Sequence, residues 1–480
     1  MIFFRCTFLF SICLVMGACG RGEKGDPLGP QIHSPSPFVD NKDSSPPAKP
    51  SPALVKPGDL DPSFGTNGKV TFEKAERNPN MVLPSPDGGL FVNAFRDKYS
   101  VPSTLKLTEA GHKDLKFGKE GILRWLCYYD QESYFDVYQD FTGRLSGSLI
   151  CRHGGNQTGD GWEISSSPAD GSSSERWVKF DSHGGQDISP RGIYKLPNGE
   201  HLRVAEETHD RACTSMGAWT GCGYHSLLLA KIGPSGANRA EFFPHKEAPD
   251  TSLEYSIATS PVSGMTAISV SRLPSDFYKI SIGDKLEHFA TNCPNACDLD
   301  VKSFISFEKE PGFKIIDFIF DSTGRYLLVH LSNDTRTFVA RYDLNGHLDT
   351  HFGEQGKVEI PGRANLHSSV YQADGRLLLA TSVGSLRLTP EGRLDEAYGD
   401  HGRTLLVKHI QNDGKLIGEP DYLSFSDICR YDSNGKLDLS FGMNGCVNYP
   451  GVDVILDAKD RIVLINHLSD KQLILRRLVK

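Results

Sequence analysis

Cys293 and Cys297 enclose Pro294-Asn295-Ala296, a spacing short enough for a dithiol to cycle with a disulfide. That chemistry needs a thiol of lowered pKa, and no cluster of His or Lys adjoins the pair. His347 and His351 stand four residues apart, which on a helix would present two imidazoles to one metal. In their strand-and-turn context they read as exposed linker residues. Asp343-Leu344-Asn345-Gly346 and Asp432-Ser433-Asn434-Gly435 gather oxygens as calcium requires. Neither continues into a full calcium loop with a later Glu, so turn chemistry is the better reading. Gly20-Arg21-Gly22-Glu23-Lys24-Gly25 fits a dinucleotide fingerprint but lacks the flanking strand and helix. No H-E-x-x-H or G-x-S-x-G occurs. These residues assign no cofactor, no metal and no catalytic group, and the expectation is a chain that is not an enzyme. The alternative is a site assembled from distant strands, which leaves no linear trace.

The elements that would position any site are set by a repeat. Leu60-Asp61-Pro62-Ser63-Phe64-Gly65-Thr66-Asn67-Gly68 recurs at Leu348 to Gly356, Leu394 to Gly402 and Leu437 to Gly445, and Asp114 to Gly121 is a fifth copy. All share Asp-x-x-[Phe/Tyr]-Gly-x-x-Gly. Around them, short β-branched and aromatic runs alternate with Gly, Asn, Asp and Pro, without a helical period. The expected fold is all-β.

One unit reads Ser369-Val370-Tyr371, a turn at Ala373-Asp374-Gly375, Arg376 to Thr381, Ser385 to Thr389, a turn at Pro390-Glu391-Gly392, then the motif and Arg403 to Val407. That is four strands. Its first turn, a polar residue before Gly, recurs at Asp87-Gly88, Thr142-Gly143, Asn198-Gly199, Ser263-Gly264, Thr323-Gly324, Asp374-Gly375, Asp413-Gly414 and, in degenerate form, Lys459-Asp460. Eight units spaced 39 to 65 residues apart suit the four-stranded blades of a β-propeller. Units three to five are read as lacking the Phe-Gly signature, so seven blades is the alternative count. The last unit stops where its motif should begin, and the N-terminal segment supplies a motif and a strand. That segment can complete the last blade and close the ring, leaving no free edge.

The motif aromatics Phe64, Phe117, Phe352, Tyr398 and Phe441 are expected as wedges between blades. Asp61, Asp114, Asp349, Asp395 and Asp438 are expected to accept backbone N–H bonds within the turn. Trp125, Trp162, Trp177 and Trp219 all fall in the divergent middle. Loops there carrying Trp162, Trp177, Trp219 and Tyr224 are candidate binding surfaces, and filling of larger blades is the competing explanation.

Residues 1–18 carry one cation and an apolar run too short to span a bilayer, as a secretory signal does. Met16-Gly17-Ala18-Cys19 resembles a bacterial lipobox, which implies cleavage before Cys19 and acylation of its sulfur. Gly20 in place of Asp resembles an outer-membrane address. Residues 19–56, Pro- and Ser-rich with few large apolar side chains, form a tether, and 57–480 form the repeat domain. With Cys6, Cys13 and Cys19 so assigned, eight of the eleven cysteines remain. Their sequence-near couples are Cys127 with Cys151, Cys213 with Cys222, Cys293 with Cys297, and Cys429 with Cys446. Such pairing suits an oxidising compartment, among 105 connectivities that eight cysteines allow.

Through its Leu-Asp-x-x-Phe-Gly-x-x-Gly copies the array resembles the delta-60 repeat family of bacterial secreted and surface proteins. The resemblance implies a β-propeller and carries over no catalytic residues. A net charge of −8 favours neither nucleic acid nor an acidic membrane surface as partner. The expected protein is a monomer, lipid-anchored at the cell envelope, binding carbohydrate or protein. The alternative is an envelope enzyme acting on glycan or peptidoglycan fragments from a central channel.

Overall fold

The computed structural model describes residues 55–480 apart from short internal stretches, the longest being 284–303, 243–253 and 153–160. The signal, Cys19 and most of the tether lie outside the described residues. Among the described residues the strands form eight four-stranded antiparallel sheets and one two-stranded hairpin. In chain order the sheets span 82–124, 131–181, 187–242, 254–308, 314–360, 366–404, 406–448 and 453–477, and are numbered 1 to 8. Lys69–Phe72 is the fourth strand of sheet 8, paired antiparallel with Leu473–Arg477. Each polar–glycine pair read from the sequence falls between the first and second strands of one sheet. Three of those turns, at 142–143, 198–199 and 263–264, lie outside the described residues.

The apolar runs follow from burial on both faces. In Leu377–Thr381 every residue is buried; Leu377 and Leu379 pack toward sheet 5, whereas Leu378 packs toward sheet 7. Sheet 5 repeats the pattern, with Leu327, Val329 and Leu331 toward sheet 4 and Leu328 toward sheet 6. In Ile462–His467, Val463 and Ile465 join the cluster with sheet 1, and Ile462 and Leu464 the cluster with sheet 7. The period of two that sends successive side chains to opposite faces therefore builds one core layer per seam, rather than one shared core. Removing the buried portion of Leu379 would cost about 2–5 kcal/mol on general experience with such cavities.

Two boundaries differ from the sequence reading. Arg403 to Val407 is not one strand: Arg403–Thr404 ends sheet 6, and Leu406–Ile410 opens sheet 7. The apolar pattern runs on across this crossover, so nothing in it marks the change of sheet. The motif copies stand between third and fourth strands of sheets 1, 5, 6, 7 and 8, which makes the units without a motif the second, third and fourth. Each in-line motif leads into the fourth strand of the sheet whose first turn precedes it.

His330 lies in Tyr326–Ser332, opposite Asp317 and Val339. It is fully buried, and among the described residues neither ring nitrogen has a hydrogen-bond partner. Burial pushes its pKa down to about 3, so the folded state holds it neutral. An unfolded chain takes up a proton below about pH 6.5 that the folded chain refuses. Its contribution is complete above that pH and is lost as pH falls toward 3, by about 1.4 kcal/mol per pH unit. His330→Leu is expected to match or exceed the wild type in stability at pH 7 and to flatten the decline between pH 6.5 and 4. Urea denaturation across that range decides; equal slopes would refute the assignment.

Candidate functional site

A five-fold side-chain constellation organises the motif end of the sheets. Phe64, Phe117, Phe352, Tyr398 and Phe441 are each at most 2% exposed. Over four of them lies a guanidinium from the third strand of the same sheet. Arg341 is 4.5 Å from the Phe352 centroid, Arg387 4.6 Å from Tyr398, Arg430 4.7 Å from Phe441 and Arg477 4.6 Å from Phe64. The same cations bind the motif carboxylates, at 2.7 Å for Arg341–Asp349, 2.9 Å for Arg387–Asp395, and 2.8 Å for both Arg430–Asp438 and Arg477–Asp61. In sheet 1 Lys106 takes the place of Arg, 3.2 Å from Asp114 and 2.6 Å from Asp87. Arg suits the position because its flat fork can stack on a ring while donating in its own plane.

The clasp also reaches the next sheet. Arg341 Nη1 donates to Pro390 O and Arg387 Nη1 to Ser433 O, both at 2.7 Å, and Arg477 Nη1 donates to Glu109 O. The glycine after each aromatic donates its amide across the same seam: Gly65 to Ala110, Gly118 to Asp170, Gly353 to Glu391, Gly399 to Asn434 and Gly442 to Pro57. The other carboxylate oxygen of the motif Asp accepts an amide two residues on, from Ser63, Lys116, His351, Ala397 and Ser440. Burial tends to raise the pKa of Asp61, Asp349 and Asp438. Hydrogen bonds within the turn and the paired guanidinium outweigh it and hold all three below the usual carboxylate range.

The cations were missed in the sequence, although a signal exists. A basic residue stands eight positions before the motif Asp in all four in-line copies, Lys106, Arg341, Arg387 and Arg430. The turn residues are engaged as well: Asp343 Oδ1 accepts the amides of Asn345 and His347, and Asp432 Oδ1 those of Asn434 and Lys436. His347 and His351 have side chains 79% and 94% exposed, each beside its own Asp. Among the described residues no three His, Cys, Asp or Glu side chains are grouped to hold a metal ion.

The opposite end of the sheets, where second and third strands connect, carries the aromatic candidates. Ala212–Ser215 and Ala218–Gly221 form the two-stranded hairpin, inserted between the second and third strands of sheet 3, with Trp219 opposite Thr214. Tyr224 opens the third strand, opposite His209. Trp162 lies near the start of the third strand of sheet 2, Gly161–Ser167, at the corresponding end. Sheets 2 and 3 touch through their fourth strands, so the backbone gathers Trp162, Trp219 and Tyr224 toward one end of adjoining sheets. Trp177 is set apart, at the register shift in Glu175–Asp181. The loop placement expected for Trp162 and Trp177 is therefore corrected to strands; the surrounding Gly and Ser masked an extended run. Trp125 belongs to the core instead: it is fully buried, packs on Gly147, and donates from Nε1 to Thr104 Oγ1 at 2.8 Å.

Five first strands share a further feature, a register shift that leaves one extra residue, at Ser133, Arg191, Ile316, His367 and Lys408. Bulges of this kind re-aim a side chain. Lys408 uses it to meet the nearly buried Glu419 at 2.5 Å. Of the cysteine couples, Cys429 and Cys446 are disulfide-bonded across paired strands. Cys127, Cys222, Cys293 and Cys297 lie outside the described residues, while Cys151 and Cys213 occupy strands 145–152 and 212–215.

These sheets define an all-β protein of repeated four-stranded antiparallel sheets, consistent with a β-propeller. No family model matches the chain, and no curated protein does. Among solved structures it is similar to the Dos1 propeller, at 12% identity and a TM-score of 0.33 over 88% of this chain and 95% of that one. It is similar to prolyl oligopeptidase B from Galerina marginata at 10% identity and 0.40, covering 69% of this chain and 47% of the peptidase, about half its length. A gluconolactonase from Xanthomonas campestris gives 18% identity and 0.25, over 68% and 94%. The fold statement rests on the sheets themselves. Two of these neighbours are enzymes, and the expectation of a chain that is not an enzyme is withdrawn: a site assembled from distant strands leaves no linear motif, so lack of one does not exclude catalysis.

The clasp makes a direct prediction. Arg387→Met keeps bulk but removes the guanidinium that donates to Asp395 Oδ2, and across the seam to Ser433 O and Asn434 Oδ1. Breaking a buried pair of this kind costs about 3–5 kcal/mol. Denaturation should show a loss of that order, and a loss below about 1 kcal/mol would reduce the clasp to decoration.

Proposed function

We propose that this chain is a lipid-anchored β-propeller of the bacterial envelope, similar to the delta-60 repeat proteins, that binds a carbohydrate or protein partner. The eight sheets are its blades. The pairing of Lys69–Phe72 with Leu473–Arg477 closes them into a ring, supported by the packing of sheet 8 on sheet 1. In such a ring the first strands line the axis, and Lys408 would face it. The signal in residues 1–18 and acylated Cys19 would fix the chain to a membrane, the outer one in a two-membrane cell, with the Pro-rich segment as spacer. The described residues contain no helix long and apolar enough to cross a bilayer.

The observation that carries the binding reading is the hairpin 212–221, inserted at one end of sheet 3 and bearing Trp219, with Trp162 and Tyr224 placed toward the same end. A rigid scaffold offering aromatic residues at one end suits recognition, since large rings contribute much of the contact energy in such surfaces.

A chain starting at Val55 should bind isolated envelope polysaccharide, peptidoglycan or whole cells saturably. The double change Trp162→Ala and Trp219→Ala should weaken this at least tenfold with little change in melting temperature. Lost stability with intact binding would move both rings to the core and end this reading; release of soluble fragments would establish catalysis instead. Separately, Cys19→Ser should shift the full chain from the membrane to the soluble fraction, and unchanged membrane partition would remove the anchor.

A further inference from the structure

The five motif copies differ at two exposed positions, the residue after the motif Asp and the residue after the first motif Gly. Sheet 5 places Thr350 and Glu354 there, and sheet 6 places Glu396 and Asp400. Sheet 7 instead carries Leu439 and Met443, sheet 8 Pro62 and Thr66, and sheet 1 Leu115 and Lys119. Met443 is 80% exposed, Leu439 71% and Leu115 69%, the three most exposed large hydrophobic side chains among the described residues. A single exposed leucine has no meaning of its own. These three, however, stand at one end of consecutive sheets, since sheets 7 and 8 share a core layer and so do sheets 8 and 1. Charge divides along the same line. The exposed charges of this strip are Lys56, Lys116, Lys119 and Glu120, against Glu354, Glu396 and Asp400 in the copies of sheets 5 and 6.

The N-terminal segment enters the domain within this strip. Gly442 N donates to Pro57 O at 2.8 Å, and Gly58 N donates to Val479 O at 3.0 Å. Phe441 seats on Gly58 as Phe64 seats on Gly111; a Cβ on these glycines would lie 3.2 and 3.0 Å from the ring, so both must be bare. Residues 57 and 58 are thereby pinned between sheets 7 and 8, next in sequence and space to the turn that bears Leu439 and Met443. Any pull from Cys19 reaches the domain at this point.

We propose that the motif end of sheets 7, 8 and 1 docks on the lipid surface that holds the anchor. Leu439, Met443 and Leu115 enter the headgroup region, while Lys56, Lys116 and Lys119 face lipid phosphates. The proposal rests on the anchored reading given above. Three apolar side chains bind a bilayer weakly, because such binding scales with the apolar area buried. Attachment through Cys19 makes the contact intramolecular and raises its effective concentration, so a weak contact suffices. Sheets 5 and 6, with their acids, are held off an anionic surface. The end bearing Trp162, Trp219 and Tyr224 lies opposite and is turned outward, toward a partner.

The test uses the full chain, isolated with its anchor, on vesicles of phosphatidylethanolamine with a minority of phosphatidylglycerol. Their acyl chains are brominated, so that they quench an indole on contact. Met443→Trp and Leu115→Trp report on the strip and Glu354→Trp on sheet 5, each read as the difference from the parent chain. At least twofold quenching of the added emission is expected for the first two, with little for Glu354→Trp. Equal quenching of all three, or none for Met443→Trp and Leu115→Trp, overturns the docking and leaves the anchor standing. Emission from Met443→Trp that is blue-shifted without vesicles and unquenched on them would assign the cover to residues 19–54 and overturn it as well. Failure of the parent chain to stay on the vesicles would remove anchor and docking together, so the two failures are told apart. Should Met443→Trp fail to fold, Leu439→Trp reports in its place.

Discussion

A buried cation held between a ring and a carboxylate is the interaction on which sheets 5 to 8 depend. Alone, an arginine such as Arg387, with its side chain 2% exposed, would carry a heavy desolvation cost. The motif offsets that cost from three directions: Tyr398 beneath, Asp395 in the plane, and the Ser433 carbonyl from the neighbouring sheet. Because one of the three lies across the seam, satisfying the charge and joining the sheets are one event. Hydrophobic layers alone would hold the sheets face to face with less discrimination of register, since apolar contact has little directionality. The clasp fixes angle and height.

Much of this was legible in the sequence, for physical reasons that also mark the limits. Glycines and aspartates are confined to turns by φ and by local hydrogen bonding, so Asp374-Gly375 or Asp413-Gly414 announces a strand boundary without any tertiary knowledge. Burial of Phe64 and Tyr398 follows equally from ring size. Arg341, Arg387 and Arg430 were not legible by the same logic. A charged residue in a strand ordinarily faces water, and only the conjunction with an aromatic eleven positions later shows otherwise. The pairing of Arg477 with Asp61 is further concealed, because its members stand at distant positions of the chain. Trp162 and Trp177 show the opposite failure, where Gly and Ser nearby suggested loops and the backbone hydrogen bonds of sheet 2 made strands.

The sheets are unequal in a way that bears on function. Sheets 1 and 5 to 8 carry the clasp, whereas sheets 2 to 4 lack it and contain the inserted hairpin and three of the four tryptophans. Regular seams tolerate little change, because the clasp specifies a ring, an acid, a cation and a bare glycine at once. Seams without it are free to vary in strand length and to accept insertions. Departure from the repeat and concentration of unusual side chains thus have a common cause, and a binding surface would arise where the scaffold constrains sequence least.

The contact between Asp61 and Arg477 also has a consequence in time. Sheet 8 cannot acquire its fourth strand until residues some four hundred positions apart have met, whereas sheets 5, 6 and 7 are each complete within fewer than fifty residues. Closing so long a span costs little more in equilibrium terms than closing a moderate one. Kinetically it is late, because contacts of high sequence separation slow folding. Local sheets can therefore form early and wait, with strand Leu473–Arg477 exposing an unpaired edge until Lys69–Phe72 arrives. During that interval the same edge is open to other chains, and correct assembly becomes a race between one intramolecular strand and its neighbours.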